Sequence, residues 1–169
     1  VGGLSRLLQL HLAENRLTRV PAALSNLTGL RILNLRGNRL TAIPEGLERL
    51  RQLVELYLAD NQIIIDAPGG QRLEAFSALR TLSLNGNPIG MIPPLRNLDH
   101  LRHLSLRSTG LREFPLAFLQ RHTQVYVDLA DNLAALFELA LADRAQARLY
   151  ISIQRLGRRP IRRVDLHIF

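Results

Sequence analysis

Residues 30–40 read Leu-Arg-Ile-Leu-Asn-Leu-Arg-Gly-Asn-Arg-Leu, an instance of the pattern L-x-x-L-x-L-x-x-N-x-L. The pattern returns at 7–17 (LLQLHLAENRL), 53–63 (LVELYLADNQI) and 79–89 (LRTLSLNGNPI), and more loosely at 101–111 (LRHLSLRSTGL) and 124–134 (QVYVDLADNLA). Successive starts are separated by 23, 23, 26, 22 and 23 residues, so the chain is built on a repeat of 22–26 residues, about six or seven copies long. Between copies a second motif recurs, at Val20-Pro21, Ile43-Pro44, Ile92-Pro93 and Phe114-Pro115, usually followed by an apolar pair such as Leu24 and Leu27 or Leu47 and Leu50.

The period carries a physical reading. Leu33 and Leu35, or Leu82 and Leu84, lie two apart and so point to one side of a short strand, inward, while their neighbours Asn34 and Arg36 face solvent. Asn15, Asn38, Asn61, Asn87 and Asn132 each fall three residues after the strand's last apolar residue, where a side-chain amide can satisfy backbone groups left over at the bend; they are expected to form a buried ladder. Thr109 takes that place in the fifth copy, with a hydroxyl that can supply part of the same bonding. Proline at the next corner has no N–H to leave unsatisfied and suits a segment that stays out of the sheet. No such repeat buries enough apolar surface to fold alone, so the copies must stack.

This organisation resembles the leucine-rich repeat family from residue 4 to about 134. The resemblance implies an α/β repeat solenoid, a curved horseshoe with a parallel sheet on its concave face. Residues 1–134 are read as the repeats, and 135–169 as an atypical C-terminal repeat, cap or junction to a further domain. Within the latter, residues 133–148 read as a helix and 149–153 (LYISI) as a strand. Leu4 already fills the place that Leu27 and Leu50 hold before a repeat, so further chain is expected ahead of residue 1. The third repeat is longer and interrupts the convex motif with Ile63 to Gly70, read as a surface insertion leading to a helical turn from about Arg72 to Ala78.

Composition removes several chemistries. The 169 residues include no Cys, which excludes a disulfide scaffold, a thiolate metal site and a cysteine nucleophile within them. The longest nearly apolar stretch, residues 133–142, is half of the ~20 residues a bilayer span needs, so no membrane span is expected. All 22 basic residues are Arg, which fits either a GC-rich genome or a protein that gains from offering no acceptor amines beside ubiquitin machinery. The formal charge of +8 is concentrated: residues 1–143 carry 15 Arg against 13 acidic groups, whereas 144–169 carry seven Arg against Asp165 alone. With aromatics at 5%, the body does not read as a groove for nucleic acid. The basic tail, with Arg155, Arg158, Arg159, Arg162 and Arg163, supports an alternative role in docking an acidic domain, nucleic acid or a membrane surface.

No catalytic, metal or cofactor site is expected. Gly2-Gly3 and Gly69-Gly70 lack the strand, helix and Lys of a phosphate loop. His11, His100, His103, His122 and His167 read as ordinary solvated imidazoles, and neither Ser83 nor Ser105 has a His and acid placed to activate it. The surface expected to act is the concave sheet, roughly 30 Å long for strands about 4.8 Å apart. Its layers are expected to expose Gln9, His11 and Ala13; Ile32, Asn34 and Arg36; Glu55, Tyr57 and Ala59; Thr81, Ser83 and Asn85; His103, Ser105 and Arg107; and Tyr126, Asp128 and Ala130. Arg31, Arg80 and Arg102 join them as candidate partner-binding residues. This varied column suits an irregular protein surface, and Arg, Tyr and His are common interface anchors.

The segments LSLNGNPIGMIPPLRNLDHLRHLSLRSTGLREFP and VYVDLADN are similar to the repeat region of proteobacterial effectors that end in a ubiquitin ligase domain with a catalytic Cys. That resemblance implies a bacterial protein secreted into host cytoplasm, whose repeats select the host protein to be modified. A repeat domain joined to a GTPase, working in the bacterial cytoplasm, is the other setting the sequence leaves open.

Overall fold

The structure, a computed structural model, describes residues 6–112, 114–122 and 124–132 and the backbone of 150–152. Each apolar repeat core contributes one three-residue strand: β1 (Gln9–His11), β2 (Ile32–Asn34), β3 (Glu55–Tyr57), β4 (Thr81–Ser83), β5 (His103–Ser105), β6 (Tyr126–Asp128) and β7 (Tyr150–Ser152). They form one parallel sheet in sequential order, every strand pairing with the next. The register advances by one whole repeat per strand: Leu10 lies against Leu33, Leu33 against Leu56, Leu56 against Leu82, Leu82 against Leu104 and Leu104 against Val127. A parallel neighbour requires a crossover, and the remaining residues of each repeat supply it.

Those crossovers are short. Residues Ala22–Asn26 and Leu47–Arg49 form 3-10 turns, Ala67–Glu74 forms helix α1 and Leu116–Arg121 forms α2. Their apolar residues close the core from the convex side, with Leu24, Leu47, Leu73 and Phe118 buried opposite the strand leucines. Leu30, Leu33, Leu35 and Leu40 are each at most 1% exposed, as are their counterparts Leu53, Leu56 and Leu58 in the next layer. In the first described layer Leu7, Leu10, Leu12 and Leu17 are only half-buried.

The bend after each strand follows a strict rule. The residue before the ladder position takes a left-handed conformation in six successive copies: Glu14 (φ 54°), Gly37 (66°), Asp60 (55°), Gly86 (64°), Ser108 (54°) and Asp131 (63°). Glycine meets this demand without a Cβ penalty. It also leaves room, since a Cβ on Gly86 would come within 2.6 Å of Asp60 Oδ1 from the previous layer.

The ladder itself differs from expectation at one end. Asn38, Asn61, Asn87 and Asn132 are buried, but Asn15 is exposed and donates only to the local Leu12 and Ala13 carbonyls. A ladder amide is buried by the layer stacked before it, and no described residue occupies that side of Asn15.

The longer third repeat also departs from its expected form. Its helix runs from Ala67 to Glu74, not from Arg72 to Ala78. Asp66 caps it by accepting from the Gly69 N–H at 2.7 Å, and Pro68 sits in the first turn, where its missing N–H costs nothing. Gly69 and Gly70 are buried because the helix packs directly on its neighbours: a Cβ on Gly70 would stand 3.2 Å from Cβ of Pro93 in the next repeat. The expected helix at 133–148, the basic tail, and most of the expected C-terminal cap lie outside the described residues.

Candidate binding face

The parallel register sorts the outward side chains into columns. One runs through His11, Asn34, Tyr57, Ser83, Ser105 and Asp128, and another through Gln9, Ile32, Glu55, Thr81, His103 and Tyr126. Arg31, Arg80 and Arg102 stand one residue ahead of their strands, exposed along the N-terminal margin of the sheet. Arg36, Asn85 and Arg107 stand beyond the strands' other end. Asn34, Arg36, Tyr57, Ala59, Asp60, Ser83, Asn85 and Arg107 together line a depression of about 480 Å³.

Side chains within this depression brace one another. Asn34 Oδ1 accepts from the Arg36 N–H (3.1 Å), and Asn85 Oδ1 accepts from the Arg107 N–H one repeat away (2.9 Å). Arg36 Nε donates to Asp60 Oδ2 at 2.8 Å and lies 3.8 Å from Glu14 Oε1, while Arg107 Nε lies 3.4 Å from Asp128 Oδ2. These ion pairs are solvent-screened, so they orient the two guanidinium groups more than they stabilise the fold. Both guanidinium groups engage carboxylates through Nε, leaving the terminal nitrogens without hydrogen bonds among the described residues. Tyr57 donates its hydroxyl to Glu55 Oε2 at 2.7 Å. That bond, together with burial and the Glu55 charge, pushes the phenol up to about 12, so it remains a neutral donor at any physiological pH.

Some expected features of this face are absent. Ala59 and Ala130 are buried, where the column reading placed them in solvent. The chain turns left-handed at the next residue, and the short Ala59 methyl sits among the longer Arg36, Asp60 and Arg107 side chains that line the same depression. His122, expected as a solvated imidazole, is also buried. It terminates α2 on the convex side and stacks on Phe118 with ring centroids 4.4 Å apart. Burial holds its pKa below the ordinary 6.5, with Arg121 acting in the same direction and Asp99 and a hydrogen bond to the Leu95 backbone opposing. Its place after an apolar Phe-x-x-x-His spacing on a short helix was the available signal.

His11 and His103 stand in different columns four layers apart, and no group of three His, Asp or Glu residues among those described is placed to hold a metal ion. Among the described residues no helix is long and apolar enough to cross a membrane.

The comparisons with known proteins converge on one architecture. Leucine-rich repeat models match residues 5–63 and 78–98. The chain is similar in structure to a leucine-rich repeat protein of Leptospira interrogans, with a TM-score of 0.70 and 30% identity over 76% of this chain and 32% of that one. It also resembles the functional domain of InlJ from Listeria monocytogenes, which includes a cysteine ladder (TM-score 0.61, 19% identity, 76% of this chain, 26% of that one). An internalin, InlF, of the same organism superposes with a TM-score of 0.61 at 22% identity over 92% of this chain and 45% of that one. The chain thus spans between about a quarter and a half of the length of these proteins. No curated protein matches the sequence. Period, backbone and family matches agree: the chain is a leucine-rich repeat solenoid.

Proposed function

We propose that this chain is a protein-binding module that engages its partner through the concave sheet. The observation that carries this reading is the braced polar depression between Arg36 and Arg107, with Tyr57, Ser83 and Asn85 between them. Rigid strands hold these groups in place before any partner arrives, which lowers the ordering cost of binding. The face mixes donors, acceptors and both charges without a periodic pattern, as an irregular protein surface requires.

The similarity to bacterial repeat proteins supports a bacterial setting. Within it, we place the chain as the target-recognition part of a larger effector that acts on host proteins, with ubiquitin ligation as the linked activity. Two features support this placement: the segment 82–115 resembles such effectors, and the chain has no Lys to be modified in place of a target. The ligase chemistry requires a Cys, and these residues contain none, so it would reside elsewhere. A GTPase-linked repeat domain is the other multidomain setting for the same binding face.

The test is affinity capture from host-cell lysate beside a Tyr57→Ala/Arg107→Ala variant whose folding is verified by circular dichroism. A protein retained by the wild type and lost by the variant supports concave recognition. The concentrated charge of residues 144–169 favours the second reading, a basic docking tail. Retention by the variant, with loss on deleting 144–169 or on adding salt, would assign binding to that tail.

A further inference from the structure

We propose that the N-terminal margin of the concave sheet grips an acidic segment of the partner protein through Arg31, Arg80 and Arg102. This rests on the protein-binding reading above and adds the chemistry of the partner.

The three arginines occupy equivalent positions, each immediately before its strand, and the register that sets Ile32 against Glu55, Glu55 against Thr81 and Thr81 against His103 brings them into one row. Arg80 and Arg102 are in adjacent layers, about 4.8 Å apart, and Arg31 stands two layers further along, so the row is roughly 14 Å long. Its backbone is held firmly. The Arg31 carbonyl accepts from the Val54 and Glu55 N–H groups at 2.7 and 3.0 Å, and the Arg80 carbonyl accepts from Arg102 and His103 at 2.8 and 3.0 Å.

What sets the row apart is its alignment on one margin of the sheet; lacking a counter-ion is a state it shares with Arg16, Arg39, Arg49 and others, but not with the arginines that have carboxylate partners. Arg36 and Arg107 at the C-terminal margin, and Arg72 and Arg121 on the convex side, each have a carboxylate within ion-pair distance. Arg31, Arg80 and Arg102 are exposed and have none among the described residues. Glu55 lies in the layer between Arg31 and Arg80; its carboxylate accepts the Tyr57 hydroxyl through Oε2, keeps its charge, and is not within ion-pair distance of either arginine. Arg80 and Arg102, like charges in adjacent layers with no carboxylate of the described residues within ion-pair distance, repel each other, and a ligand carboxylate between them relieves that repulsion.

The opposite margin decides which anion fits. It carries Glu14, Asp60, Asp128 and Asp131 against Arg36 and Arg107, an excess of acid, so a broad polyanion such as a nucleic acid gains nothing there and meets net repulsion across a sheet only three residues wide. A peptide that runs along the solenoid axis with its acidic side toward the arginines does not. Four or five extended residues cover the 14 Å row at about 3.3 Å each. Beyond Arg102 the peptide meets Tyr126, 39% exposed, with its ring 6.2 Å from that of His103, a surface for an apolar side chain next to the acidic stretch.

The test titrates the isotope-labelled full chain with a blocked hexaglutamate peptide at low salt and follows arginine Nε–H and backbone amide signals by NMR. Hexaglutamine and single-stranded oligothymidine serve as comparison probes. Saturable shifts centred on Arg31, Arg80 and Arg102 are expected with hexaglutamate, about tenfold weaker in an Arg31→Gln/Arg80→Gln/Arg102→Gln variant and unchanged in Arg49→Gln. Shifts centred on residues 155–163, equal binding by the triple variant, or tighter binding of the oligothymidine at the same row would each overturn the proposal. A captured partner that needs Tyr57 and Arg107 while hexaglutamate fails to bind would leave the protein-binding reading standing and remove only the acidic segment.

Discussion

At the contact between the second and third repeats, Asn61 donates from Nδ2 to the Leu35, Leu58 and Ala59 carbonyls at 3.0, 3.0 and 3.1 Å and accepts from the Leu40 N–H at 3.0 Å. Asn38 and Asn87 repeat this arrangement in their own layers. At the contact between the fourth and fifth repeats, Thr109 has a single hydroxyl proton, which it directs to Leu106 O at 2.7 Å and Asn132 Oδ1 at 3.1 Å, both on the later side. Nothing at position 109 reaches back to Leu84, and the Ile89 N–H turns to its own Asn87 carbonyl instead of a ladder side chain. The left-handed corner here is Ser108, a non-glycine as Asp60 is beside Asn61, where Gly37 and Gly86 serve the second and fourth repeats. On the convex side of the same contact, Leu95 is buried at φ 48° and faces His122, whose Nε2 is buried without a hydrogen-bond partner among the described residues. The two contacts share one backbone plan, yet the first has the buried amide rung that Asn61 supplies, whereas the second lacks that rung and keeps, beside the sheet and the core, only the Arg107 N–H bond to Asn85 Oδ1 and the exposed Arg121–Asp99 pair. Stacked repeats are stabilised layer by layer, so this contact is expected to open more readily than the one between the second and third repeats.

The largest effect is expected where the ladder is complete. Asn61→Ala strands carbonyls and an N–H that no water reaches, and should cost about 3 kcal/mol in urea denaturation. Thr109→Asn probes the incomplete contact from the opposite direction. An amide there can reach the Leu84 carbonyl, and a gain of about 1 kcal/mol is expected, with slower amide exchange for residues 84–95. If the gain is nil, the missing rung is not what distinguishes the contacts.

The third difference is pH-dependent. Because the folded pKa of His122 lies below its ordinary 6.5, the unfolded chain takes up a proton more readily. Its contribution is therefore fully present above 6.5 and is lost as pH falls below that value. Between pH 7.5 and 5.5 the wild-type Tm should drop by roughly 2 °C more than that of His122→Phe. Equal slopes would place the titration elsewhere. The smallest effect is expected at the corner: Ser108→Gly removes a left-handed non-glycine residue and should stabilise by about 0.5 kcal/mol, whereas Gly86→Ala at the fully bonded corner should destabilise.

The same contrast separates what could be read along the chain from what could not. The columns of the concave face follow from alternation within a strand and one repeat per layer, so Asn34, Tyr57, Ser83, Ser105 and Asp128 were legible as neighbours before any coordinates. The state of each side chain in its column was not. Glu55 turns to Tyr57 two positions on rather than to an arginine of a neighbouring layer, and whether Arg36 is paired while Arg80 is not depends on residues one repeat away, such as Asp60, that share no local pattern. The start of helix α1 was marked by Asp66 and Pro68, a cap that outweighed the later apolar spacing. The burial of His122 carried only a faint mark, since a histidine ending a short helix looks the same whether its ring turns to water or to Phe118.

By itself the sequence determined the period, the strand positions, the inward leucines and the amide ladder, because each is dictated by geometry inside one repeat and then copied. Tertiary structure alone decided which charges are paired, which rung is missing and which margin of the sheet keeps unpaired arginines. Those outcomes depend on distances between side chains of successive layers, and only stacking brings such residues together.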